Sequence, residues 1–156
     1  LYREYEAVTV GVMTSGGVVD APIGRHPQDR KRQAVTDTGK HAVTHYRVIQ
    51  RFRCNTHVRV QLETGRTHQI RVHMSHINYP LIGDPLYGGR FRQPKGITEQ
   101  LQEILRDFKR QALHAKKLEL FHPVTGELMS WEVALPDDMD ALLAALNEDA
   151  KSLEQF

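Results

Sequence analysis

The chain has 156 residues, 40% of them hydrophobic and 26% charged, which is enough apolar material for one domain with a real core and too much for wholesale disorder. Lysine plus arginine exceed aspartate plus glutamate by 21 to 19, a formal +2, so net charge alone decides nothing about nucleic acid. A single cysteine, Cys54, excludes an internal disulfide framework and fits a reducing, cytoplasmic compartment, and no apolar run approaches the roughly 18 residues that a membrane span requires.

The chain begins at Leu1 and enters at once on YREYEAVTVG, whose Tyr2, Ala7, Val8 and Val10 read as a strand under way over residues 4 to 12. That start leads us to expect a segment of a longer protein. A turn at Ser15-Gly16-Gly17 and a short extended stretch to Ile23 follow. Residues 24 to 42 form a polar, basic loop without periodicity, carrying RHPQDRKR at 25 to 32. THYRVIQRF (44–52) and THVRVQLET (56–64) alternate in polarity and are rich in β-branched residues, so joined through Cys54-Asn55 they make an antiparallel hairpin. Gly65 ends the second strand, and Thr67 is placed to cap a helix, HQIRVHMSHI, that stops near Asn78-Tyr79-Pro80.

Glycine and proline make 81 to 97, LIGDPLYGGRFRQPKGI, a loop. Leu101, Ile104, Leu105 and Phe108 recur at helical spacing and predict a helix over 98–111. LHAKKLELF and LMSWEVAL, linked by HPVTGE, predict a second hairpin with Trp131 inside. The tail from Asp137 is an amphipathic helix whose acidic first turn suits the helix dipole. This order predicts an α+β domain: an antiparallel or mixed sheet with flanking helices.

Chemistry concentrates in LETGRTHQIRVHM, 62 to 74. On the helix, only His73 and His76 of the local histidines have the spacing to share a metal, and neither an HExxH pattern nor a cysteine pair supports a metal-dependent hydrolase. The serines at 15, 75, 130 and 152 lack the context of a nucleophile elbow, Cys54 has no special flank, and no glycine-rich loop runs into Lys-Ser or Lys-Thr. Oxyanion recognition fits better. Arginine offers a planar fork and a helix start offers unpaired N–H groups, so Gly65-Arg66-Thr67-His68 makes a cradle for phosphate or carboxylate. Arg71 sits between Ile70 and Val72, where a guanidinium is expensive unless it meets an anion; a functional arginine and a structural salt bridge both satisfy that requirement.

LETGRTHQIRVHM followed by YPLIGDPLYGG resembles the signature of the RluA/RluD family of pseudouridine synthases, most of all its RluD type. RQALHAKKLELFHPVTGE resembles that family's later block, and REYEAV its short tyrosine motif, so the likeness runs through most of 3–136. It implies the C-terminal part of that family's catalytic domain. The activity implied is cofactor-free isomerisation of uridine to pseudouridine in large-subunit ribosomal RNA, by a cytoplasmic, monomeric protein that holds no metal. The family's indispensable aspartate stands in a motif of the form H-R-L-D-x-x-[ST]-[ST]-G, which these 156 residues do not contain; Asp20, Asp29, Asp37, Asp84 and the acidic tail lack that context. The resemblance therefore implies that the nucleophilic aspartate lies upstream, sometimes behind an S4-like domain, and that the chain alone is inactive. It makes Arg71 the partner of that aspartate and sets Tyr5 against the target uracil. Ile70 lines the same pocket, and Arg66 and His68 contact the substrate or brace the motif. Arg25, Arg30, Lys31 and Arg32, with Arg90, Arg92 and Lys95, are candidates for the RNA backbone. The alternative is an RNA-binding module that kept the scaffold and lost the chemistry.

Overall fold

A computed structural model describes residues 1–153. Six strands form one sheet in the order β2-β5-β6-β1-β7-β8: β1 (Tyr2–Val10), β2 (Gly17–Asp20), β5 (Val43–Arg51), β6 (Asn55–Leu62), β7 (Leu113–Phe121) and β8 (Leu128–Glu132). Every pairing is antiparallel. A two-stranded sheet, β3 (Ile23–Arg25) with β4 (Gln33–Val35), stands apart, and the helices are α1 (Gln69–His76), α2 (Glu99–Asp107) and α3 (Asp137–Leu153). The α+β architecture expected from the pattern is the one observed.

The sheet is covered on both faces, and β1 shows why. Successive strand residues point to opposite sides. Ala7 belongs to a core with Val58, Val60, Ile70, Met74 and Leu81, whereas its neighbour Val8 belongs to a core with Leu101, Leu105, Met139, Leu142 and Leu146. One face thus carries α1 and the other the α2–α3 pair. Buried Asp149 of α3 fastens the second layer: it accepts from the Thr98 N–H (2.8 Å) and faces Arg53 of the β5–β6 turn at 3.5 Å. Thr98 in turn caps α2, its hydroxyl accepting from the Leu101 N–H.

Four expectations are corrected. Residues 24–42 are not featureless, since most of β3 and all of β4 lie and pair there; three-residue strands leave no period to read. Helix α1 is capped not by Thr67 but by His68, in the left-handed conformation (φ 56°) and without a side-chain capping bond. Helix α2 stops at Asp107 instead of Gln111, because Phe108 turns extended and buries its ring in the α2–α3 core. Trp131 is 46% exposed. It lies on the outermost strand opposite Leu118, itself 37% exposed, so an edge strand carries a large apolar residue without a layer to receive it.

Leu142 is fully buried between α2 and the sheet. Its replacement by alanine should cost about 2–5 kcal/mol of unfolding free energy, measured by urea titration with far-ultraviolet circular dichroism; a loss under about 0.5 kcal/mol would mean that α3 is not part of the cooperative core.

Candidate active site around Arg71

The turn from β6 into α1 is tied down by one side chain. Gln69 is 3% exposed. Its carbonyl oxygen accepts from the Arg66 N–H (2.9 Å) and the Thr64 hydroxyl (2.8 Å), while its amide donates to the Val43 carbonyl and the Thr44 hydroxyl, both at 3.0 Å. One N–H of the expected cradle is therefore already satisfied from within. The Arg66 guanidinium donates through Nε to the His41 carbonyl at 2.8 Å, which braces the turn against the segment before β5.

His73, one turn further along α1, is fully buried and both its ring nitrogens are engaged. A carbonyl can only accept, so Nε2 donates to Ala21 O (2.9 Å) and Nδ1 accepts from the Thr44 hydroxyl (2.7 Å). These bonds remove His73 from any metal-ligand role. Among the described residues no group of three or more His, Cys, Asp or Glu is placed to hold a metal.

Arg71 points away from the sheet toward residues 84–87. Its Nε and Nη2 donate to the two oxygens of Asp84, both at 2.9 Å, a bidentate fork. The Asp84 carboxylate is wholly buried and the Arg71 side chain 11% exposed. Asp84 Oδ1 also accepts from the Leu86 and Tyr87 N–H groups, each at 3.0 Å. Burial alone would raise the carboxyl's pKa; the Arg71 bonds and the two backbone donors outweigh it and hold Asp84 below the ordinary carboxylate value. The residue before it must be glycine: Gly83 has φ 74°, and a Cβ there would sit 2.2 Å from the Arg110 carbonyl oxygen. The carboxylate that Arg71 meets is thus Asp84, within this chain, where the resemblance pointed upstream.

Tyr87 completes the cluster. The Arg71 guanidinium lies 4.9 Å from its ring centroid and that of Arg32 5.4 Å. The phenol oxygen accepts from the Gln33 N–H (2.8 Å) and bonds His68 Nδ1 (2.7 Å). Burial, then the nearby Arg71 charge, lowers the pKa of His68, so the neutral ring can accept the phenol proton. Arg32, from the β3–β4 turn, and His68 and Arg71, from the start of α1, converge on one tyrosine.

Tyr5 has the same parity as Ala7 on β1 and packs, half-buried, against the cluster that contains Ile70. The structure therefore places Tyr5 against the cluster to which Ile70 belongs and sets Arg71 on the next helical position. Arg25, Arg30 and Lys31 are exposed at the end of β3 and in the β3–β4 turn. Arg90, Arg92 and Lys95 are exposed on the loop before α2. Arg90 and Arg92 also border a cavity of about 680 Å³ whose walls include Leu81, Ile82, Leu105 and Phe108. Sequence reasoning did not single out Gln69, Asp84 or Tyr87 as parts of the site, and considered His73 only as a metal ligand. GDPLYGG offered the signal, because an aspartate within a glycine-bounded turn is a ready acceptor for backbone N–H groups.

Residues 1–76, which hold Tyr5, Ile70 and Arg71, match the RNA pseudouridylate synthase family model. The chain is 61% identical over 150 residues to the ribosomal large subunit pseudouridine synthase D of Pseudomonas aeruginosa, covering 96% of this chain and 47% of that protein. It is 56% identical over 147 residues to the same-named protein of Escherichia coli K12, covering 94% and 45%. Among solved structures, human RNA pseudouridylate synthase domain containing 4 superposes with a TM-score of 0.70 at 28% identity, over 94% of this chain and 62% of that one. The human domain containing 1 gives 0.69 at 23% identity, over 99% and 66%, a likeness of fold alone. Along nearly its whole length the chain is similar to proteins of the RluA/RluD group of RNA pseudouridylate synthases. It spans about half the length of the curated relatives it matches.

Three histidines make stability depend on pH. Burial is the largest influence on His57, His68 and His73 and lowers each below the ordinary 6.5, although Glu6, 2.7 Å from His57, pulls the other way there. A histidine with a depressed folded-state pKa contributes stability that is complete above its unfolded value and is lost as pH falls toward the folded one. The urea midpoint should therefore drop between about pH 7 and about pH 5. A midpoint that stays level or rises over that interval would show that these rings are not held neutral.

Proposed function

We propose that the chain is the C-terminal part of the catalytic domain of a cytoplasmic, monomeric pseudouridine synthase acting on large-subunit ribosomal RNA. The observation that carries this reading is half-buried Tyr5 packed on the buried cluster that contains Ile70, with Arg71, the next residue of α1, anchored by Asp84. It is supported by relatives named for that activity. Among the described residues no helix is long and apolar enough to cross a membrane. The aspartate motif of the family is missing from these residues, so the nucleophile is supplied by a segment outside them.

In this reading a uridine leaves its stack, at a cost of about a few kcal/mol that the pocket must offset. Tyr5 stacks on the uracil or places its hydroxyl against it, Ile70 closes the apolar wall, and Arg71 holds and orients the incoming aspartate as a carboxylate. The aspartate attacks C1′ and displaces N1, the uracil turns, C5 attacks C1′ and expels the aspartate, and the proton lost from C5 is matched by one taken up at N1. Neither metal nor cofactor takes part. Arg66 and His68 hold the turn that carries Ile70 and Arg71, and their exposed edges are open to the RNA. Arg25, Arg30, Lys31 and Arg32 on one side, with Arg90, Arg92 and Lys95 on the other, meet phosphates.

In the full-length enzyme, Arg71→Ala should reduce pseudouridine formation on ribosomal RNA by at least about 100-fold, assayed by tritium release from C5; wild-type turnover would remove Arg71 from the mechanism. The 156-residue chain alone should convert no uridine, and robust conversion would mean that the nucleophile lies within it. Substituting Arg90 and Arg92 with alanine should flatten the plot of log affinity against log salt by about 0.7–0.9 per lost phosphate contact. An unchanged slope would assign those arginines to solvated surface.

A further inference from the structure

We infer that Asp84, assisted by Tyr87, is a positioning residue for the reaction: it holds the Arg71 guanidinium by two of its nitrogens so that the third, Nη1, is presented to the nucleophilic carboxylate. The inference rests on the function proposed above. It concerns residues beyond the segment 1–76 that the family model matches.

The geometry leaves little freedom. Nε and Nη2 of Arg71 are committed to Asp84 at 2.9 Å each, and the Tyr87 ring lies 4.9 Å from Cζ. A planar group held by a bidentate edge and an aromatic neighbour cannot rotate without breaking both contacts. Nη1 makes no hydrogen bond among the described residues, yet it is not a buried orphan, so it is the edge open to a further acceptor. Asp84 is itself immobilised. Its carboxylate has no solvent exposure, two backbone N–H groups fix Oδ1, and Gly83 sets the backbone before it. Tyr87 is pinned through its oxygen to Gln33 and His68.

A carboxylate placed this way does two things. It stabilises a cation next to the apolar residues of α1, and it fixes the direction in which the remaining N–H groups point. A lysine at 71 could supply the charge but not the fork, since one ammonium cannot grip Asp84 from two directions and face a second carboxylate along a defined line.

The test is a double-mutant cycle in the full-length enzyme, with kcat and KM for the RNA measured separately. Asp84→Asn keeps an oxygen for the Leu86 and Tyr87 N–H groups but removes the charge and half of the fork. It should lower kcat by on the order of 100-fold with KM for RNA within about twofold, because the phosphate contacts lie elsewhere. In the Arg71→Ala background the same substitution should cost nothing further, because Asp84 acts through Arg71. Losses that multiply in the double variant, or wild-type kcat in Asp84→Asn, would overturn the inference. Should Asp84→Asn fail to fold by circular dichroism, Arg71→Lys decides: kcat as low as that of Arg71→Ala supports the fork, and kcat near wild type overturns it. Failure of the functional reading is separately visible, as no pseudouridine from the wild-type full-length enzyme or no loss with Arg71→Ala.

Discussion

The buried pair between Arg71 and Asp84 is the constraint around which this side of the molecule is built. Removing two charges from water costs several kcal/mol per ion, and attraction between them repays it only with good geometry and with the remaining polar atoms satisfied. Here the carboxylate receives four hydrogen bonds, two from Arg71 and two from the backbone of Leu86 and Tyr87. The segment Gly83–Tyr87 is shaped by that demand. Its glycine, its aspartate and its tyrosine are each explained by what they do for one guanidinium, and through Tyr87 the same segment anchors Gln33 of β4 and His68 at the start of α1.

The two faces of the sheet divide the work. The face under α2 and α3 is packed with Leu101, Leu105, Met139, Leu142 and Leu146, ordinary apolar burial that supplies much of the stability. The face under α1 mixes apolar packing with the Thr44, Gln69 and His73 network, in which each polar atom named has an identified partner. Such a network contributes modest net stability but tolerates few alternatives, because breaking one member strands another in a dry site. A short helix of eight residues is thereby held in one register against β5, with Ile70 toward the sheet and Arg71 toward Asp84.

Much of this was legible in the sequence, for identifiable reasons. Strands β5 and β6 alternate in polarity over eight or nine residues, and α2 and α3 repeat apolar residues at helical spacing, so their existence and pairing followed from pattern. The β3–β4 sheet did not, since three residues carry no period. Trp131 misled because size suggested burial, while its strand lies at the edge of the sheet. At the site, Arg71 was recognisable as a cation in need of an anion. Its partner was not, because a contact across 13 residues of irregular loop depends on a turn that only the folded chain displays, and the family likeness drew attention to an aspartate elsewhere.

The two carboxylates need not compete. A guanidinium has five N–H donors in one plane, and the bidentate grip of Asp84 uses one edge of it, through Nε and Nη2. In the proposed enzyme an aspartate approaching Nη1 would meet a cation whose charge is already largely balanced by a neighbour of fixed position. It would be oriented by a directional hydrogen bond, yet its pKa would be lowered less than by an unshared arginine. A carboxylate kept ionised but not strongly stabilised retains more of its basicity and nucleophilicity than one locked in a private ion pair. Sharing Arg71 between Asp84 and the nucleophile thus reconciles two requirements that a single pair sets against each other: a guanidinium stable next to the apolar residues of α1, and a reactive partner that remains free to form a bond.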